Sequence, residues 1–303
     1  MHMEPDRPDK TSGHTRVVGL FYPHGRASAR AVAEAIRSAH YDGASVKFIT
    51  GEPVESGKPD KTDEDFCRME FAVSIGGDGT FLRAGRLVRE LGIPLFGINA
   101  GRLGFLASGS PASAADDIRQ ILSHQYRLQQ RTPLKCLLQQ GGREQTFYAI
   151  NEIAVIKEAA SGPIEMRVSV DGERLYDLHA DGIIISSSTG STAYALSAGG
   201  PIVHPDVPAT VIVPICPHSL YPRPMVLGSR VSVEITFLGE SDEMLLTADG
   251  QINLGLGKTD VVTVRADAEH AVDVIKLGDA SYFDVLRDKL NWGLANGNGR
   301  KCT

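Results

Sequence analysis

Between Ser74 and Arg86 the chain reads SIGGDGTFLRAGR, an aspartate set among glycines directly after the apolar run FAVSI. Glycines let backbone N–H groups come close to a phosphate, and the positive end of a following helix adds its charge at the same point. Gly76, Gly77 and Thr80, with Arg83 one turn further on, are therefore candidates for receiving a phosphate donor. A carboxylate inside such a cradle repels the phosphate, so Asp78 makes sense where it faces an attacking hydroxyl or helps to hold a cation. Phosphoryl transfer passes through a loose transition state that the protein mainly positions and neutralises. A side chain that takes the alcohol proton adds ~10²–10⁴ in rate. Kinase chemistry on an alcohol is the sharp reading, and a glycine turn in which Asp78 only caps a helix is the plain one.

Better-known phosphate and nucleophile motifs fail on spacing. Counting from Gly77 and Gly79, the third glycine of G-x-G-x-x-G would fall on Leu82. The GKT at Gly257–Thr259 lacks its upstream glycine, because that position is Ile252. TGSTA around Ser191 has Thr189 and Ala193 where a nucleophile elbow needs glycines. His179, His204 and His218 stand far apart and the cysteines are scattered, so no protein-built metal site is expected.

The elements that must hold the glycine turn follow from periodicity. From Val17 to Ile98 the runs VVGLFY, VKFI, FAVSI and PLFGI alternate with helical patterns at Ala27–Arg37 and Thr80–Leu91. Such alternation predicts a doubly wound parallel α/β sheet whose ligands sit beyond the strands' carboxyl ends, where SIGGDGT lies. After a helix at Ser113–Ser123 the texture changes to ten short β-rich runs, from LKCLL to VDVIKL, with hairpin signals at Asp171-Gly172 and Asp249-Gly250. A second, β-sandwich-like domain is expected. The boundaries read as a flexible tail over 1–14, an α/β domain over 15–105 and a β-rich domain over 106–280. An amphipathic helix over 281–292, with Phe283, Leu286 and Leu290 on one face, returns to the first domain.

With 303 residues the chain is long enough for two domains. Its net charge of −6 argues against a non-specific nucleic-acid surface. No apolar run approaches a membrane span, no secretory signal opens the chain, and four scattered cysteines suit reduced thiols; a cytoplasmic protein is expected.

In order along the chain, SIGGDGTFLRA, GINAGRLGFLA, NEIAV, DGIIISSSTGSTAYALSAGGPIVHP, PICPHSLYPRPMVL and ADGQ resemble the NAD kinases, over about Val17–Gly293. GGDGT alone is less specific, since phosphofructokinases and diacylglycerol or sphingosine kinases carry similar turns. The resemblance implies transfer of a phosphoryl group from ATP or polyphosphate to the 2′-hydroxyl of the adenosine ribose of NAD, with Mg²⁺ or another divalent cation, in a homodimer or homotetramer. By motif, Asp78 would accept the proton and Gly79 contact NAD. Asn151 and Glu152 would meet ribose hydroxyls, and Asp181 would reach the nicotinamide end, in some members across a subunit contact. Thr192, Ala193, Tyr194, Ala195, Leu196 and Ser197 would line adenine and ribose, Gln251 would contact the dinucleotide, and Phe105 would lie beside adenine. Arg83 and Arg102 could neutralise donor or pyrophosphate charge, since guanidinium binds phosphate bidentately. Bland counterparts exist: Ser191 or Thr192 capping a short helix, Gln251 as a turn residue, Phe105 as core, and Arg83 and Arg102 as solvated or salt-bridge residues. The family's usual S-T-P-T-G-S-T reads SSSTGST here, so Ser188 replaces a proline and a looser loop is expected. Two rival functions fit the glycine turn alone, a lipid kinase and a catalytically inactive dinucleotide sensor.

Overall fold

The computed structural model describes residues 15–52, 64–101, 104–158, 161–219, 221–239, 243–279 and 281–292. The expected tail and Arg102 lie outside them.

The first sheet contains β1 (Arg16–Phe21), β2 (Val46–Gly51), β3 (Met69–Gly76), β4 (Leu95–Asn99), β5 (Arg127–Arg131) and, from far along the chain, β18 (Val272–Lys276). Their order is β2-β1-β3-β4-β18-β5, parallel throughout except for the edge strand β5. Between these strands run α1 (Ala27–Ser38), the short α2 (Glu64–Cys67), α3 (Asp78–Leu91) and α4 (Ala114–Leu122). The stripe Ala29, Val32, Ala33 and Ile36 of α1 packs with Ile118 and Ile121 of α4 on one face of the sheet. On the other face Phe81, Leu87 and Val88 of α3 pack on Ala72, Leu95 and Val274. Helices on both faces make the sheet doubly wound, as the alternating pattern predicts.

β18 and β5 come from the stretch whose sequence texture reads as β-rich, yet they complete this first sheet. Strand β18 is apolar enough to suit either domain, and only the long-range pairing of Val274 with Leu95 decides. β5, RLQQR, carries no alternating apolar signal because it is a half-exposed edge.

The remaining strands form two antiparallel sheets. One joins β6 (Leu134–Gln140), β7 (Arg143–Ala149), β9 (Ile164–Val170), β10 (Glu173–Ala180), β14 (Ser232–Phe237) and β17 (Val261–Ala266) in the order β10-β9-β14-β17-β6-β7. The other joins β8 (Glu152–Lys157), β11 (Gly182–Ser187), β12 (Ala209–Ile215), β13 (Met225–Gly228), β15 (Met244–Ala248) and β16 (Ile252–Leu256) in the order β13-β12-β11-β8-β15-β16. Side chains from both sheets, among them Leu138, Val155, Val168, Ile185 and Val264, share one buried core, so the pair is a sandwich. Both residues of each expected hairpin have positive φ: 51° and 82° at Asp171-Gly172, 51° and 63° at Asp249-Gly250.

α5 (Tyr194–Ser197) is a single turn on the outer face of the second sandwich sheet. α6 (Tyr282–Leu290) starts with a capping box between Ser281 and Asp284. Its Tyr282 and Phe283 rings meet His204, at 4.8 Å and 5.8 Å between centroids, and Lys289 Nζ sits 5.7 Å from the Phe105 ring centre.

Candidate functional site

Strand β3 ends at Gly76, and α3 begins two residues later, so Asp78 stands at the carboxyl edge of the first sheet. Gly77 is the N-cap and offers no side chain; the Asp78 carboxylate points away from the helix. Its Oδ2 accepts from Phe105 N–H at 3.0 Å and its Oδ1 from Leu106 N–H at 3.2 Å. The plain reading of Asp78 as a helix cap therefore does not hold. The three glycines act through space: none has a positive φ. A Cβ at Gly76 would overlap Thr80, one at Gly79 would press on Gln251 Nε2, and one at Gly77 would meet nothing within 4 Å. The approach to the start of α3, where first-turn N–H groups lack intrahelical acceptors, is thus open at Gly77. Gly104 is equally constrained, because a Cβ there would overlap the Asp78 carboxylate.

Two cations that the sequence reading passed over stand near this edge. Lys276 closes β18 and shares a face with Val272 and Val274, the face covered by α3. Burial, and then Arg131, pull its ammonium down to about 8, against the opposite pull of Asp78. Arg131 is buried on β5, with Nη2 donating to Gln129 Oε1 at 2.9 Å and its Nε without a partner. Arg83 is half-buried, its Nε likewise without a partner.

Across from α3, Asn151 leads into β8, which opens with Glu152, and both are buried. Beneath them Asp249 gathers four donors. Its Oδ2 accepts from Ile150 N–H at 3.1 Å and Arg86 Nη1 at 2.5 Å, and its Oδ1 from Asn151 N–H at 2.8 Å and Glu152 N–H at 3.4 Å. Burial pushes the Asp249 carboxyl up, and Arg86 with the backbone amides pulls it back. Glu152 has less compensation: burial, and then the neighbouring Asp249, push it up to about 8, only Tyr194 N–H pulls the other way, and its Oε2 has no partner. That shift favours the protonated carboxylic acid, which has a proton to donate.

The SSSTGST segment packs tightly on this strand. Ser187 N–H donates to Asn151 O at 2.8 Å, Ser187 Oγ to Ile150 O at 2.6 Å, and a Cβ at Gly190 would overlap Asn151 O. Ser188 is not loose: its hydroxyl bonds Val207 O and accepts from Ala209 N–H at 3.2 Å, replacing with side-chain bonds the restraint a proline would give. Ser191 caps no helix either. Fully buried, it donates to Ser188 O at 2.7 Å and accepts from Val203 N–H at 3.0 Å, and Ala193 takes the N-cap position of α5. Thr192 Oγ1 donates to Thr189 O at 3.4 Å.

Of the TAYALS residues, Ala195 is fully buried in the core under α5, Leu196 is half-buried and Ser197 exposed. Tyr194 presents its ring to solvent at 41% exposure. Burial raises its hydroxyl, with Cys216, Glu152 and Asp181 adding to the effect. Asp181 lies at the far end of β11: Ser186 pairs with Glu152 and Gly182 with Ile156, a separation of roughly 17 Å at ~3.3 Å per residue. It pairs with Lys157 Nζ at 3.1 Å. His179 and His218 stack edge to face near it, 4.7 Å between centroids.

Two half-sites thus meet. One is an open helix start bearing Asp78, with Lys276 near it; the other is a set of buried acids and hydroxyls at the start of β8 and along the SSSTGST segment, with Tyr194 exposed beside them. An anion on the first and an extended polar molecule along the second would place a hydroxyl of the latter against Asp78.

The chain matches the family model of the ATP-NAD kinase N-terminal domain over residues 34–126 and that of the ATP-NAD kinase C-terminal domain over residues 150–277. It is 39% identical over 234 residues to the NAD kinase of Bacteroides fragilis, covering 77% of this chain and 80% of that protein. It is 41% identical over 226 residues to the NAD kinase of Thiobacillus denitrificans, 74% of this chain and 77% of that protein. Among solved structures, yeast NADH kinase complexed with NADH superposes with a TM-score of 0.82 at 23% identity, over 94% of this chain and 90% of that one. An NAD kinase from Archaeoglobus fulgidus in complex with ATP gives 0.69 at 24% identity, over 91% and 98%.

Proposed function

The chain belongs to the NAD kinase family, and we propose, on that premise, that Asp78 takes the proton from the 2′-hydroxyl of the adenosine ribose of NAD while α3 receives the phosphate donor. The observation that carries this is the aim of the Asp78 carboxylate: held by Phe105 and Leu106 N–H, it is turned off its own helix and leaves the helix start to the donor.

The lipid-kinase alternative is set aside by the family matches, which cover both halves of the chain. Among the described residues no helix is long and apolar enough to cross a membrane. Since the complexes of similar fold hold NADH and ATP, NAD and ATP are the ligands assigned to this chain, with NADH and polyphosphate as variants to be tested. A cytoplasmic homodimer or homotetramer remains the expectation carried by family resemblance.

In this reading the donor's terminal phosphate rests at Gly76, Gly77 and Thr80, with Arg83 and Lys276 offsetting its charge. The 2′-oxygen attacks phosphorus, the bond from phosphorus to the β-bridging oxygen breaks, ADP departs and the proton passes to Asp78. Glu152, protonated, donates a hydrogen bond to a ribose oxygen without repelling the dinucleotide's phosphates; Asn151 adds an amide beside it. Tyr194 offers a face for the base, Thr192 to Ser197 the groove wall, and Asp181 the nicotinamide end. A divalent cation fits as a companion of the donor, because Mg²⁺ is commonly held by one or two carboxylates plus substrate phosphates. Asp249 is committed to Arg86 and Glu152 holds a proton, which leaves Asp78 as the carboxylate able to share it. When bound, the cation supplies neutralisation of charge on the donor phosphates.

The direct assay is NADP formation with ATP and polyphosphate in parallel, against NAD and NADH. ATP- and NAD-dependent product is expected. Binding of NAD with no turnover under any donor or metal would support the inactive-sensor alternative.

A further inference from the structure

The carboxyl edge of the first sheet carries a second bare turn besides GGDGT. Strand β1 ends at Phe21 and passes through Tyr22, Pro23, His24 and Gly25 towards α1, and Gly25, like Gly77, is a position where a Cβ would meet nothing within 4 Å. Strands β1 and β3 are paired, with Phe21 level with Ser74, so the two turns leave the sheet side by side, one strand spacing of ~4.8 Å apart at their base. They then part: α1 packs with α4 on one face, and α3 packs on the other. In the order β2-β1-β3-β4 this divergence is the topological switch point of a doubly wound sheet, where a crevice opens beyond the strand ends and ligands bind.

Chemistry decides which part of a ligand that crevice would receive. The sandwich lies against α3, since a Cβ at Gly85 would overlap Ile150 and Gln251 Nε2 donates to Gly79 O at 2.9 Å, so the acceptor reaches Asp78 from that side. In phosphoryl transfer the attacking and leaving oxygens stand roughly in line. The leaving end of the donor therefore points away from the sandwich, and β1 is the neighbour of β3 on the side away from β18 and β5.

The turn after β1 is held in place and presents two kinds of side chain. Tyr22 N–H donates to Gly51 O at 3.1 Å, Arg26 N–H to Pro23 O at 3.0 Å and Arg30 Nη2 to His24 O at 2.7 Å, while the Glu52 carboxylate accepts from His24 N–H. His24 is exposed, and its ring is backed by that of Tyr22, 5.0 Å between centroids, an aromatic surface of the kind on which a base stacks. Arg26 is exposed as well, and among the described residues its guanidinium has no partner, which leaves it free for phosphate oxygens.

We propose that the crevice between the β1–α1 turn and Gly77 holds the nucleoside diphosphate end of the donor, with the base against His24 and the leaving group's phosphates beside Arg26. This rests on the reading of Asp78 as proton acceptor, with the donor on the start of α3.

The test uses the full-length enzyme, with His24→Ala and Arg26→Met, both at exposed positions, and photolabelling of the unmodified protein by 8-azido-ATP in the presence of NAD. The KM for ATP should rise about tenfold in Arg26→Met and severalfold in His24→Ala, with the Kd for NAD by calorimetry within about twofold of the unmodified enzyme. The label should fall on the tryptic peptide that ends at Arg26 and be prevented by excess ATP. An unchanged KM for ATP in both variants would overturn the proposal. A raised Kd for NAD at unchanged KM for ATP would give the crevice to the dinucleotide and overturn it too, as would ATP-protected label on any other peptide or none on this one. Should the unmodified enzyme form no NADP, the reading of Asp78 fails instead, while the photolabel still reports on the crevice.

Discussion

The two half-sites are built on opposite principles. The α/β half works by leaving space: glycines at 76, 77, 79 and 104 clear room around one carboxylate, and the helix start remains open at Gly77. The sandwich half works by filling it: Asn151, Glu152, Ser186, Ser187, Ser191 and Asp249 are all buried, and backbone amides, serine hydroxyls and the Asp249 carboxylate bond one another there. A donor that arrives charged and leaves charged suits an accessible cradle, while an acceptor whose hydroxyl must be held still suits a rigid groove. In the proposed reaction the two meet at Asp78, and the bonds of Arg86 to Asp249 and Gln251 tie α3 to the sandwich.

If space is what the α/β half provides, removing it should cost the most. Gly104→Ala puts a methyl group where the Asp78 carboxylate lies, and a loss approaching the ~10²–10⁴ expected for a displaced proton acceptor should appear in kcat, with NAD binding by calorimetry retained. Turnover close to that of the unmodified enzyme would mean that Asp78 has freedom the packing denies it.

Charge near the open cradle is the next lever. Lys276→Met should raise the KM for ATP about tenfold, a loss of ~1.4 kcal/mol, and leave the Kd for NAD alone. Because burial and Arg131 bring the ammonium down to about 8, the KM for ATP should climb as pH rises through that value, and the climb should vanish in Lys276→Arg. A pH-independent KM would remove Lys276 from the donor site.

The filled half should show itself in stability. Glu152 holds its proton up to about 8 when folded, against an ordinary value of 4.5 when unfolded. Between those values the folded chain binds a proton that the unfolded chain has released, so this group's contribution falls as pH rises through the window and is greatest below it. The slope is at most about 1.4 kcal/mol per pH unit, and Glu152→Gln should flatten the melting temperature against pH from roughly 5 to 8. Identical slopes in the two proteins would place the proton elsewhere.

The same contrast explains what the sequence could disclose. Space-making turns are local: GGDGT after an apolar run, Asp171-Gly172 and Asp249-Gly250 carry their geometry in adjacent residues, and each is found where the reading puts it. The filled half is not local. Arg86 and Asp249 are 163 positions apart, and although Asp249-Gly250 reads as a turn, nothing in type or spacing pairs its aspartate with Arg86. Lys276 ends a strand that looks like any other apolar run, and its place near Asp78 depends on β18 crossing into the first sheet. Gly104 is one glycine in a loop until the Asp78 carboxylate is seen against it. The TAYALS segment was legible as a unit, but which of its residues face out was not. Ala195 lies in the core and Tyr194 at the surface because α5 is only one turn long, too short for periodicity to separate its faces.

The division of labour between an acceptor-facing carboxylate and a donor-facing helix start stands or falls on Asp78→Asn. NADP formation from NAD and ATP should drop by ~10²–10⁴ while calorimetry returns an unchanged Kd for NAD. Turnover retained in that variant, with the Kd likewise unchanged, would contradict the assignment of Asp78 as proton acceptor.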